Sequence, residues 1–461
     1  MDWDLVWIKA VHFTTCLSGV AWGRFQVLYL NSKGHSPTNN GLLRAGGLLA
    51  KFLCTPMWGA QADRHPPAQQ LALSVAITGL LIELYRRPSI YTSFWGLLAL
   101  KVVRSGSNGM GTLVDILTLR TIEGKSNVGY GSQRLWSGIA WGGGSFAVGY
   151  FIDQWGYDSI FSWTYFFSGL VLLLLLYQPT SAAARGGGPH GEGGKRKRSA
   201  GSLLYTYAKQ MKRPEIGRFL VIMTCYGCAI SLVESIMFLQ LERDFDMPKS
   251  SMGTITLVGT LIEFPIFQFS RSLVSRFGHL RLLTVAHWTL AARLFFMSLL
   301  TKETAHLTIL VQASHGVCFA LAWTAAVDYA FVFSPPELKA TSQSVVSTAY
   351  YILGAGFGSV CFSASYDYFG ARASYLGGMA LVVASATLIL PFLPAVPHRQ
   401  DRQHDLLPLQ QRDKTTAGSS DIEDEEGGGR LGGGGLGLSG DEGASMSGGG
   451  EREALLSGEA Q

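Results

Sequence analysis

Twelve apolar stretches alternate with short polar connections along this chain, each long enough to cross a bilayer as a helix. They run over 7–30, 40–62, 69–87, 90–119, 133–153 and 158–178, then over 216–241, 251–272, 281–300, 304–333, 340–365 and 372–395. A crossing takes about 20 mostly apolar residues. The fourth, tenth and eleventh stretches exceed that, which predicts tilt or extension past the bilayer. The pattern therefore predicts an all-α membrane protein with twelve transmembrane helices. The first stretch is long and has no basic leader or small-residue cleavage site, so it reads as a helix that stays in place.

The pattern lapses twice. Residues 179–215 contain Gly186-Gly187-Gly188-Pro189 and the run Lys195-Arg196-Lys197-Arg198, and read as a flexible linker. After Pro397 the chain turns to Gly, Ser, Asp, Glu and Gln; 396–461 holds too little apolar surface to order itself. The expected organisation is a bundle over 1–178, a basic linker over 179–215, a second bundle over 216–395 and a disordered tail over 396–461. Lys and Arg favour cytoplasmic loops. The linker is thus predicted to be cytoplasmic, and an even number of spans on either side puts both termini there too. Arg271, Arg276 and Arg281 agree with this orientation; Arg86 and Arg87 oppose it and are outweighed. In the tail, Glu451-Arg-Glu-Ala-Leu455-Leu456 matches the short acidic dileucine pattern of eukaryotic sorting. That leaves plasma membrane and endomembrane both open.

The two bundles repeat each other. Gly59-Ala-Gln-Ala-Asp63-Arg64 follows the second span and Arg271-Ser-Leu-Val-Ser275-Arg276 the eighth, at an offset of 212 residues. Val114-Asp115 and Val327-Asp328 lie in the fourth and tenth spans at an offset of 213. Ile152-Asp153-Gln-Trp-Gly156 and Tyr366-Asp367-Tyr-Phe-Gly370 end the fifth and eleventh at an offset of 214. Parallel six-helix repeats place a binding site near the midplane between the halves.

Composition narrows the class. Apolar residues make up 48% and charged residues 15%, against about 25% charged in a soluble protein. Much of the surface must face something other than water. The net charge of +5 sits largely in short connecting stretches and so orients the chain, with no call for nucleic acid as a partner. All six cysteines, Cys16, Cys54, Cys225, Cys228, Cys318 and Cys361, fall in apolar stretches. Cys225-Tyr-Gly-Cys228 is better read as two small buried residues than as a redox or zinc motif. No phosphate-cradling loop, nucleophile elbow or metal-spaced histidine pair is visible. The expectation is a monomeric protein that is not an enzyme, uses no cofactor, and draws on an ion gradient for any uphill transport.

At this point the chain resembles the major facilitator superfamily. Gly59-x-x-x-Asp63-Arg64 is similar to that superfamily's loop between helices 2 and 3, although His65 and Pro66 stand where further Gly and basic residues are usual. Three stretches resemble the lactose-permease-like branch, with its oligosaccharide and nucleoside proton symporters and its eukaryotic major facilitator domain-containing protein 6 group. They are Tyr130-Gly131-Ser-Gln-Arg134-Leu-Trp136-Ser-Gly-Ile-Ala-Trp141, His315-Gly-Val-Cys-Phe-Ala-Leu-Ala-Trp323 and Pro335-Pro336-Glu-Leu-Lys-Ala340-Thr341-Ser-Gln343. The likeness covers about 7–395 and implies two pseudo-symmetric six-helix bundles around a central substrate site.

Ionisable groups at membrane depth cost roughly 2.5–3.5 kcal/mol each, so they are functional candidates by default. Here they are Lys51, Lys101, Arg104, Asp115, Arg134, Glu234, Glu263, Arg293 and His315. The resemblance implies that Asp115 and Arg134 bind substrate. A carboxylate accepting hydroxyl protons and a guanidinium fork suit a polyol. Trp141, seven residues after Arg134, shares its face and offers a stacking surface; Trp323 is a further binding candidate. The competing reading is a structural ion pair with Trp141 as core.

Glu263, Arg293 and His315 match the branch's proton-coupling and substrate network. There a carboxyl changes its proton affinity as an arginine approaches. The branch's second acid, one turn after the histidine, is replaced here by Cys318, and Gln312 stands where a basic residue is usual. Glu234 is the candidate to supply the missing acid. The competing reading for His315 is a histidine satisfied by its neighbours. Asp63 and Arg64 are expected to act in gating, or else to be a solvated loop. Gly142, Gly143, Gly144, Gly354, Gly356 and Gly358 are expected to let helices pack closely, and possible bending there is left open. Arg104 and Asp115 lie eleven residues apart and are expected to share a helix face.

These readings point to a secondary transporter that moves a small polar, sugar-like or nucleoside-like solute by alternating access, with protons as the coupling ion. Two alternatives stay open: a passive facilitator or organic anion carrier, and a non-transporting membrane receptor on the same fold.

Overall fold

The computed structural model describes residues 2–123, 125, 129–178, 213–332 and 339–394. The predicted tail, the predicted linker up to residue 212, and the Pro335–Gln343 motif up to Glu337-Leu338 lie outside them, while the last linker residues, Pro214 and Glu215, already open α8. The described residues form helices and connecting turns, with no strand among them. The helices are α1 Trp3–Ser32, α2 Pro37–Arg64, α3 Pro67–Glu83, α4 Phe94–Gly106, α5 Met110–Ile122, α6 Tyr130–Trp155, α7 Ser159–Leu176, α8 Pro214–Ser235, α9 Met237–Arg243, α10 Lys249–Gln268, α11 Ser270–Phe277, α12 His279–Leu299, α13 Thr308–Val332, α14 Lys339–Ser347 and α15 Phe357–Ala384.

The described residues form twelve spans, six in each half. α4 and α5 together form the fourth, and α8 with α9 the seventh. The eleventh runs from α14 through a π-helical stretch, Thr348–Gly356, into α15. α15 turns at Gly370, whose φ of 79° separates the eleventh span from the twelfth. Eight segments are long and apolar enough to cross a membrane by length and composition alone, and one of them, Thr341–Phe392, contains both final spans. The remaining spans, α2, α4–α5 and α6, are those loaded with Arg, Lys, Asp and Gly.

Local chemistry explains where the helices start and stop. Ser36 caps α2 by accepting from the Asn39 amide, and Pro37 fills the first helical position. Ser93 caps α4 through the Gly96 amide in the same way. Gly156, with φ 75°, ends α6 as Gly370 ends the eleventh span. The equivalence of the two glycines matches the repeat seen in the sequence.

The fourth span departs from the single helix expected over 90–119. It breaks at Ser107–Gly109, and Ser74 of α3 mends the break. Its hydroxyl donates to Ser107 O and accepts from the Gly109 amide, both at 2.9 Å. Trp58 Nε1 donates to Gly106 O at 2.9 Å. Backbone groups freed inside an apolar bundle must find such partners. The break also removes the expected shared face of Arg104 and Asp115, because the helical register does not carry across it.

The two halves meet closely at one end, here called the far end, which carries the turns at 33–36, 156–158 and 244–248. A Cβ on Gly149 of α6 would stand 2.1 Å from Lys249 O of α10, and one on Gly41 of α2 2.3 Å from Ser359 O of α15. Only glycine allows these approaches. One buried cluster joins residues of both halves, such as Phe25, Leu43, Ala140, Phe238 and Ile255. A second, with Trp7, Val11, Ala62, Leu71 and Leu113, belongs to the N-terminal half alone and lies at the opposite, terminal end.

Candidate functional site

Spans of both halves bring charged groups together between them. Arg293 of α12 is 1% exposed. Its Nη1 donates to His315 Nδ1 of α13 at 2.8 Å, and its Nη2 donates to Gln312 Oε1. An arginine only donates, so Nδ1 of His315 is the bare ring nitrogen. The ring proton is then on Nε2, which faces Glu263 Oε1 of α10 at 3.3 Å. With its Nδ1 lone pair engaged by the guanidinium, His315 is the neutral Nε2–H tautomer in this arrangement, and Glu263 is the carboxyl of the trio. Arg293 also approaches Cys318 Sγ at 3.7 Å, where the branch's second acid would sit.

His315 opens an aromatic column along α13. Its ring stacks on Phe319 at 5.9 Å between centroids, and Phe319 on Trp323 at 6.4 Å. The spacing of four residues sets the stack. Trp323 also meets Tyr350 and Tyr351, each at 5.6 Å.

Glu234 lies in the last turn of α8, beside the interruption at Ile236 that separates α8 from α9. It does not join Cys318. It forms an ion pair with Arg44 of α2, across the two halves, with both side chains 27% exposed. Arg24 of α1 packs its guanidinium over Trp141 at 5.1 Å and over Phe238 at 5.7 Å. It also interacts electrostatically with both Glu234 and Glu263. Trp141 therefore carries a cation on its face, and Gly23 next to Arg24 leaves room for the ring, since a Cβ there would be 3.0 Å from it.

Asp115 and Arg134 do not touch directly. Tyr130 joins them, donating to Asp115 Oδ1 at 2.6 Å and accepting from Arg134 Nη1 at 3.3 Å. His12 of α1 lies beside this pair, hydrogen-bonded to Ser137 Oγ and Thr118 Oγ1 at 2.8 Å each. Tyr351 connects the two groups of residues, because it interacts electrostatically with Arg134, Glu234, Glu263 and Arg44. Lys101 reaches Gln26 Oε1 of α1 at 2.5 Å. Arg104 turns instead to Thr78 O at 3.3 Å and the Trp22 ring. Asp63 and Arg64 are exposed at the terminal end of α2. Neither forms an ion pair with a described residue in this conformation.

The family model for the MFS_1-like family matches residues 21–377. The chain belongs to the MFS_1-like family. Among relatives of this MFS_1-like chain is an uncharacterized transporter, YwbF, of Bacillus subtilis (strain 168). It is 22% identical over 380 residues, covering 80% of this chain and 88% of that one. A maltose permease of Geobacillus stearothermophilus is 26% identical over 305 residues, covering 66% and 72%. Among solved structures, the nucleoside transporter NupG superposes with a TM-score of 0.70 at 12% identity, over 85% of this chain and 99% of that one. The family and the fold together make this MFS_1-like chain a multi-pass membrane transporter of the major facilitator type.

Sequence reasoning passed over Arg24, Arg44 and Tyr351. Arg24 and Arg44 lie within the predicted spans 7–30 and 40–62, so the rule that singles out ionisable groups at membrane depth covers them equally. Tyr351 carries no such signal; only its position between charged groups marks it.

Proposed function

We propose that this transporter is a proton-coupled symporter of a small polar, sugar-like or nucleoside-like solute. One observation carries the reading: Glu263 is a carboxyl with a neutral histidine on one side and two arginines, Arg24 and Arg293, interacting with it electrostatically. Its proton affinity therefore depends on how close those arginines stand, and they belong to different halves. Rocking of the halves changes the distance from Arg24 on α1 to Glu263 on α10, which ties protonation to the side of the membrane the site faces. Trp141, Trp323, Asp115 and Arg134 supply the stacking face and the hydroxyl-binding pair. The maltose permease and the nucleoside transporter support the substrate class.

The far end is closed here by direct contact between the halves, and the terminal end has its own separate N-terminal core. We take the terminal end as cytoplasmic, as the basic linker argues, so this conformation is the inward-open one. Asp63 and Arg64 then find partners in the opposite, outward-open state.

The test is uptake of maltose and uridine into proteoliposomes under an imposed pH gradient. Wild type should accumulate solute when the gradient is applied. Glu263→Gln should lose gradient-driven accumulation and keep exchange of solute between equal concentrations. Undiminished gradient-driven uptake in that variant would refute the coupling role.

A further inference from the structure

Cations in the N-terminal half outnumber the carboxylates that reach them. Arg44 and Lys51 lie seven residues apart on α2, two helical turns, so they share one face. Gly47 lies between them on that face. A Cβ there would stand 2.7 Å from Lys101 Cε. The absent side chain is the space through which Lys101 of α4 crosses the surface of α2. Its Nζ then hydrogen-bonds Gln26 Oε1 of α1, and the charges acting on it are Arg104, Arg44 and Lys51, all of its own sign.

Among the described residues the carboxylate in this group is Glu234, and it is bound to Arg44. Among the described residues neither Lys51 nor Lys101 has an acidic partner. Arg44 Nε is itself buried with no hydrogen-bond partner among them. On this face Arg44 meets Glu234 of α8, Gly47 meets Lys101 of α4, and Lys51 is exposed two turns further on. Like charges crowded at membrane depth raise the energy of the empty site, and packing has no need of them. A glycine and a glutamine hold Lys101 in place where an apolar side chain would fill the gap.

We propose that Lys51 and Lys101, with Arg44, hold an anionic group on the transported solute, so that the substrate is an organic anion with a sugar-like or nucleoside-like body. This rests on the transporter reading above and narrows its substrate class. Lysine ammonium groups are flexible point charges and bind a carboxylate or a phosphoryl group without fixed geometry. Glu234 occupies Arg44 while the site is empty and competes with the incoming anion. Proton symport fits such a cargo, since the proton offsets the negative charge moved.

The experiment is thermal stabilisation of the purified full-length protein by matched probes. These are glucose, glucose phosphate and glucuronate, and uridine with uridine monophosphate. Charged members should stabilise the protein and neutral members should not. The ranking of glucuronate against glucose phosphate distinguishes a carboxylate from a phosphoryl group. Lys51→Gln and Lys101→Gln should each weaken the response about tenfold or more, the usual consequence of losing one partner of a desolvated charge pair. Lys101→Arg should retain it, which separates loss of charge from misfolding, and Glu234→Gln should strengthen it by freeing Arg44. Equal response to neutral and charged probes, no response to any charged probe, or unchanged binding in both glutamine variants would overturn the inference. Gradient-driven uptake of neutral maltose or uridine without any response to charged probes would leave the symporter reading standing and sink only this one. Binding of charged probes without movement of any solute would do the reverse.

Discussion

Asp153 and Asp367 make equivalent contacts on opposite edges of the far end: each ends a span of one half and caps the first turn of a helix in the other. Asp153 of α6 accepts from the Lys249 and Ser250 amides of α10, both at 2.8 Å. Asp367 accepts from the Thr38 amide of α2 at 2.8 Å and from the Thr38 hydroxyl. The first amides of a helix have no partners within it, and a carboxylate there also gains from the helix dipole. These two caps and the glycine contacts beside them hold the far end shut.

Removing both caps should therefore open that end. A charged hydrogen bond contributes about 1.5–3 kcal/mol, and each 1.4 kcal/mol is about tenfold in an equilibrium. Asp153→Ala with Asp367→Ala should shift the population toward the state open at the far end by at least about tenfold. Spin-label distances between Ser159 and Lys302 positions would report it. An unchanged distance distribution would mean that the glycine contacts alone suffice.

Bulk at the closest approach should give the same shift by a different route. Gly149→Val places atoms where Lys249 O stands. The closed far end then becomes inaccessible, and labelling of single cysteines introduced between α6 and α10 should rise above wild type.

Coupling should depend on Glu263 in a pH-dependent way. Uptake by wild type should fall as pH rises on the side from which the proton is loaded, because the carboxyl must be protonated to carry it. In Glu263→Gln the profile should become flat. Initial rates measured across a pH series would decide, and a profile of unchanged shape would assign the proton elsewhere.

Arg293 donates to two neighbours at once through its fork. Arg293→Lys keeps the charge and cannot make both bonds in that geometry. Transport should drop strongly in this variant while the protein still folds, as judged by its melting temperature. Near wild-type transport would show that the charge alone matters.

Ser74→Ala should lower stability without changing substrate preference. It removes the tertiary partner of the Gly109 amide and the Ser107 carbonyl at the break of the fourth span, leaving them only their 3.2 Å bond to each other. A lost hydrogen bond costs about 0.5–1.5 kcal/mol. Thermal denaturation of the purified variant is the measurement.

The sequence alone determined the spans, the repeat and the family, because each rests on local chemistry. Lipid demands a run of apolar residues wherever a helix crosses, and no tertiary partner is needed to read that run. The glycines at 156 and 370 and the aspartates before them were legible for the same reason. Tertiary structure decided which charges meet. Glu234 pairs with Arg44, not with the network around His315, and Tyr130 stands between Asp115 and Arg134. Arg24 lies over Trp141 and interacts electrostatically with Glu234 and Glu263 of the C-terminal half. These pairings join residues of spans far apart in the chain, and the helical period gives each residue's face without saying which helix will stand opposite. The break at Ser107–Gly109 was hidden for a related reason: its backbone groups are satisfied by Ser74 and Trp58, which only the packed bundle brings to it.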